Sequence, residues 1–97
     1  MQALTREELA YTSATMGAAL LDLEGPPNWD EEIDERKLDG CHFIRCPLGQ
    51  LFGTYQHGIE ALNLDVAEEY TYGFNGHDPK IITEAWRRVL RERRSTS

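Results

Sequence analysis

Apolar residues recur at helical spacing in three stretches of this chain and almost never alternate with period two. In the first stretch Leu9, Met16, Leu20 and Leu23 make a stripe flanked by Tyr11 and Leu21, which predicts a helix whose core face is that stripe. Thr5 and Glu8 stand at capping-box spacing and place its start at Thr5, with its end near Leu23. Beside the stripe, Ala10, Ala14, Gly17 and Ala18 form a strip of small side chains along which a second helix can come close.

Gly25-Pro26-Pro27-Asn28 stops this helix, because paired prolines remove backbone donors and force extended backbone. From Trp29 to Gly40 acids dominate, with Trp29, Ile33 and Leu38 as the only large apolar anchors, and a short helical segment is predicted over Asp30 to Lys37. A second strong helix is predicted from Pro47 to Leu62, with proline at its first position and a stripe of Leu48, Leu51, Phe52, Tyr55, Ile59 and Leu62. Gly49, Gly53 and Gly58 each cost it about 1 kcal/mol of helix propensity. That cost predicts close packing around Gly49, Gly53 and Tyr55, against either the small-residue strip of the first helix or a second copy of the chain.

Asn63 to Gly76 reads as a connector with one helical turn at Val66 to Tyr70, beneath which Tyr70, Tyr72 and Phe74 tuck. Asp78 followed by Pro79 opens the last predicted helix, which runs to about Arg93. Its inner side is Ile81, Ile82, Ala85, Trp86, Val89 and Leu90; Lys80, Arg87, Arg88, Arg91 and Arg94 point outward. The expected architecture is a single all-α domain over residues 1–97, a bundle of three principal helices plus one or two short ones. The ordered core is expected over about residues 5–93, followed by a short flexible C-terminal tail.

Composition narrows the picture. A chain of 97 residues that is 40% hydrophobic can bury one compact core and no second. It has no run of 18 apolar residues and no charged-then-apolar leader, so a soluble protein acting in a cytoplasm is expected, with no membrane partner. The net charge of -7 is divided unevenly: residues 1–79 hold 15 acids and four bases, residues 80–97 six bases and two acids. An acidic body of that kind disfavours nucleic acid as a partner and leaves one basic helix face as a docking strip.

Four groups of residues invite a chemical reading. Cys41, His42 and Cys46, with His57 and His77, supply enough N and S donors for zinc, but their spacing matches no common zinc pattern, so no metal and no cofactor is expected. Cys46 begins a helix, where the dipole favours a thiolate, yet a nucleophile also needs a base and an oxyanion pocket that the sequence does not assemble. The acids Asp30, Glu31, Glu32, Asp34, Glu35 and Asp39 lack the loop order of a calcium site and read as a solvated patch. Arg87, Arg88, Arg91 and Arg94 could track phosphates, but no outward Asn or Gln accompanies them to read bases.

The order Gly17-Ala18-Ala19-Leu20-Leu21-Asp22, Trp29, Ile33, Leu38-Asp39, Cys46-x-Leu48-Gly49-Gln50-Leu51-Phe52-Gly53-x-Tyr55, Gly58-Ile59, Tyr72-Gly73-Phe74 and Ala85-Trp86 resembles small uncharacterised proteins encoded by mycobacterial and other actinobacterial phages. The resemblance covers most of the chain and departs at Pro47, where an aliphatic residue is expected. It implies a phage origin and a bacterial host cell as the place of action, and it brings no activity with it. The resulting expectation is a module without catalytic activity that binds a host or phage protein, or a second copy of itself. Arg87, Arg88 and Arg91 are the candidate residues of one interface, and Asp30, Glu31 and Glu35 of another. The alternative is a DNA-associated regulator that uses the basic last helix.

Overall fold

The computed structural model describes residues 4–95. Six helices follow one another with no strand among the described residues, which makes the chain a small all-α domain. They are α1 (Arg6–Glu24), α2 (Trp29–Glu32), α3 (Pro47–Phe52), α4 (Tyr55–Leu62), α5 (Val66–Thr71) and α6 (Pro79–Ser95). The last helix runs two residues past Arg93, and the remainder of the expected flexible tail lies outside the described residues.

The local stops and starts follow the side-chain chemistry. Thr5 and Glu8 form the reciprocal capping box expected of α1, and Asp65 with Glu68 forms a second one that starts α5. Asp78 Oδ1 accepts the N–H groups of Lys80 and Ile81 and so caps α6. Two predicted helices are shorter than expected. The acidic segment is helical only over Trp29–Glu32, because Ile33 turns to extended backbone and seats its side chain in the core at 1% exposure. The single helix expected from Pro47 to Leu62 is two, since Gly53 takes φ 94 and Thr54 starts a new helix by accepting the His57 N–H.

The core is organised around Trp86. Its ring is fully buried, stacks on Phe74 at 5.6 Å, meets Trp29 edge-on at 6.5 Å and donates its indole N–H to the Gly73 carbonyl at 2.8 Å. Helix α1 lies alongside α6 with Gly17 directly over this ring. Consequently the buried face of α1 is the small-residue strip, Ala10, Ser13, Ala14, Gly17 and Ala18 together with Leu21. The predicted leucine stripe is not the core face. Leu9, Met16 and Leu23 are exposed and Leu20 is half-buried. A bulky stripe would hold α1 away from Trp86, whereas alanine and glycine let the backbone approach it.

The close packing expected around the glycines is present at two of them, with different neighbours. A Cβ at Gly49 would stand 2.5 Å from the Phe43 and Ile44 carbonyl oxygens, and one at Gly58 would stand 2.7 Å from Leu48 Cβ. The neighbours are the preceding loop and the sister helix, neither α1 nor a second copy. Gly53 packs against nothing within 4 Å and serves only as a backbone break. Tyr55 is half-buried beside it, its N–H donated to the Phe43 carbonyl and its hydroxyl buried without a partner.

Candidate functional site

The two sets of charges expected on separate interfaces meet each other. Arg91 Nε donates to Glu35 Oε1 at 2.7 Å, and Arg94 donates to the other oxygen of the same carboxylate at 3.0 Å. Arg94 also donates to the carbonyls of Asp30 and Ile33, each at 2.6 Å, and so ends α2 from a distance. Arg93 bridges Asp30 and Asp22, and lies over the Trp29 ring at 4.9 Å. Arg87 donates to Glu84 and to the carbonyls of Glu35 and Leu38. These bonds form a clasp that holds the acidic segment along the C-terminal half of α6. Arg87, Arg91 and Arg94 line an open groove with Glu31, Glu32, Asp34 and Arg36. Arg88 stands apart from the clasp, with its guanidinium 3.9 Å over the Tyr11 ring.

Gln50, inside the Leu-Gly-Gln-Leu-Phe-Gly stretch, belongs to the same scaffold. Its side chain accepts the Asp34 N–H at 2.7 Å and donates to the Asp34 and Arg45 carbonyls, tying α3 to the acidic loop. Thr83 does similar work on α6, accepting the Gly40 N–H at 2.8 Å while donating to Pro79. Neither role carries a signal in the sequence, because a single polar side chain gives no sign of a partner 16 or 43 positions away.

The cysteines occupy different environments. Cys46 is buried and its Sγ accepts the Gly49 N–H at 3.2 Å, a cap for α3. Burial pushes this thiol above its usual range and outweighs the backbone N–H groups that favour the anion, so the dipole-activated thiolate is not what the site provides. Cys41 is exposed, and partial burial with the Asp39 and Asp78 carboxylates raises its thiol as well. His42 accepts the N–H groups of Ile44 and Arg45 on Nδ1 and stacks on Phe43. Cys41, His42 and Cys46 share the wall of one small cavity with Tyr55 and Phe74, and His57 and His77 are outside it. Among the described residues no group of three His, Cys, Asp or Glu side chains is placed to hold a metal ion.

One surface was not legible as a site at all. The misplaced stripe of α1, Leu9, Met16 and Leu23, lies on the outside of the molecule at 37%, 42% and 82% exposure. At about 100° per residue the three fall within roughly 40° of one another, with Thr12 and Ala19 on one side and Leu20 on the other. From Leu9 to Leu21 the helix carries no acid or base. Leu9 also shares a cleft with Tyr70, an exposed ring of α5 that stacks on His77 at 4.3 Å. Helix α1 therefore has two apolar faces, a small one spent on the core and a large one left in solvent.

No family model, no curated protein and no solved structure matches this chain. No described helix is long and apolar enough to cross a membrane.

Proposed function

We propose that this chain is a small interaction module of an actinobacterial phage that works in the host cytoplasm by binding another protein and catalyses no reaction. The observation that carries this reading is the second apolar face of α1. Large aliphatic side chains in a row on a surface helix, without charges among them, are what a protein partner covers. The partner is a phage or host protein or a further copy of the chain. The clasp argues in the same direction. Arg87, Arg91, Arg93 and Arg94 each donate to carboxylates or carbonyls of the chain itself, so of the basic residues of α6 only Lys80 and Arg88 stand outside the clasp, a thin set of cations for tracking a phosphate backbone.

The test is a pull-down from an actinobacterial host that expresses a tagged and an untagged copy together, with and without nuclease. A retained protein that survives nuclease and is lost from the Leu23→Glu variant is the expected result. Retention that disappears with nuclease, or that ignores Leu23→Glu, overturns the reading.

A further inference from the structure

The interaction reading leaves the occupant of the α1 face open, and resting on that reading we propose that it is α1 of a second copy, antiparallel, about a twofold axis beside Met16. Leu9 and Leu23 stand seven residues before and seven after Met16. Reversing the helix about that residue therefore sets Leu9 on the copy's Leu23 and Met16 on the copy's Met16. A pattern that maps onto itself is the requirement of an isologous dimer, and a foreign partner imposes no such symmetry. The seven-residue spacing also keeps the three side chains on one nearly straight line, because seven residues fall only about 20° short of two full turns.

Charge selects the same face. A body of net charge -7 resists its own copy wherever acids would meet, and the thirteen residues from Leu9 to Leu21 contain none. Of the four acids of α1, Glu8 and Glu24 lie on opposite flanks of the stripe, each roughly 80° from it, so the antiparallel pair places them on opposite sides of the seam, while Glu7 and Asp22 lie about 180° and 120° from it and Asp22 pairs with Arg93 of its own chain. The peptide dipoles of the two helices oppose each other in this arrangement, which favours it over the parallel one.

Area sets the size class of the interface. The three exposed side chains with Leu20 and Tyr70 offer on the order of 400 Å² of apolar surface, the size of the largest patch on an ordinary monomer. With its rim the paired face covers about 600 Å² per copy, the low end of specific interfaces, so a weak, reversible dimer is expected rather than a permanent one. Because both bodies are acidic, added salt screens their repulsion and tightens the dimer, the reverse of an interface held by ion pairs.

Sedimentation velocity across a range reaching about 1 mM reads this directly, and Met16→Glu is expected to raise the dissociation constant at least about 10-fold. Circular dichroism of the same variant keeps its helix content, since Met16 is outside the core, and Phe43→Glu on an exposed loop leaves the dimer intact. Oxidative cross-linking in a Cys41→Ser background fixes the geometry. Met16→Cys joins two chains, while Leu23→Cys, although more exposed, does not, because its two copies stand about 21 Å apart along the antiparallel pair. Equal cross-linking of both variants, or a chain that stays monomeric at about 1 mM, overturns the proposal. A monomeric chain that still retains a protein through Leu23 leaves the broader reading standing, and one that retains nothing removes both.

Discussion

Gly17→Ala tests the central feature of the fold, the seat of α1 on Trp86. A Cβ at Gly17 would stand 2.2 Å from the Tyr72 carbonyl oxygen and 2.8 and 2.9 Å from Trp86 Cζ2 and Cη2. Neither neighbour can yield easily. Tyr72 is backbone leading into Gly73, which is held at φ 74 and accepts the Trp86 indole N–H, and the Trp86 ring is fully buried against Phe74. In an unhindered helix the substitution would gain about 1 kcal/mol of propensity. Overpacking a tight core costs about 1–3 kcal/mol, and a contact with backbone at this distance sits at the upper end or above it. The balance is a net loss of about 2 kcal/mol. For a domain of this size that lowers the urea midpoint by more than about 1 M, followed through tryptophan fluorescence. Ala19→Gly, on the exposed side of the same helix, is the control and should cost about 1 kcal/mol through propensity alone. An unchanged or raised midpoint for Gly17→Ala would show that α1 does not approach Trp86 as described.

Four further outcomes follow from the clasp, the glycines, the thiols and Tyr11. Arg94→Met should destabilise by about 2 kcal/mol, because it leaves two carbonyls and one carboxylate oxygen short of a donor, whereas Arg91→Met, at a side chain 65% exposed, should cost about 0.5 kcal/mol; equal losses in chemical denaturation would refute the clasp. Gly53→Ala should cost about 1–2 kcal/mol through its positive φ, and Gly49→Ala more, since its Cβ meets backbone that must move; the order of the two melting temperatures checks this. A thiol reagent at mild alkaline pH should modify Cys41 in the native chain and Cys46 only after denaturation. Tyr11, Cys41 and Cys46 all hold their protons more tightly when folded, Tyr11 chiefly through its bond to Glu92 and the thiols chiefly through burial. Their contribution is complete below the ordinary thiol range and is lost as pH rises through the folded values, so stability should fall above about pH 9, and Cys46→Ser should soften that fall.

Periodicity and caps made much of this fold legible in the sequence. The starts of α1, α3 and α6 fall where Thr5, Pro47 and Asp78-Pro79 place them, and the inner side of α6 is the one its apolar residues mark. Long-range pairing left no such mark. Arg91 and Glu35 are 56 positions apart, Arg94 and Asp30 64, and each alone reads as an ordinary solvated charge. The break at Gly53 was hidden because the apolar stripe continues across it in register, so spacing alone does not separate one helix from two. The face of α1 was misread because periodicity weighs bulk, and here bulk and burial fall on different sides.

That division follows from what α6 demands. Turning α1 by about a third of a turn would bury Leu9, Met16 and Leu23, and it would also bring them against Trp86, whose burial alone removes some 200 Å² from water. The larger spacing would undo the Phe74 stack and the indole bond to Gly73, and the arrangement would expose only the small area of Ala10, Ala14 and Ala18 in return. The fold resolves the competition by giving the seat to alanine and glycine, which bury little themselves but let the Trp86 ring be covered. The leucines are then left outside as a consequence of core geometry. As large aliphatic groups the exposed ones add nothing to that core, since a polar residue at Leu23, 82% exposed, would leave every buried contact in place. Leu23→Gln and Met16→Gln should accordingly change folding stability by less than about 0.5 kcal/mol while weakening whatever covers the stripe, and a larger loss of stability in the monomer would mean that the stripe belongs to the core after all.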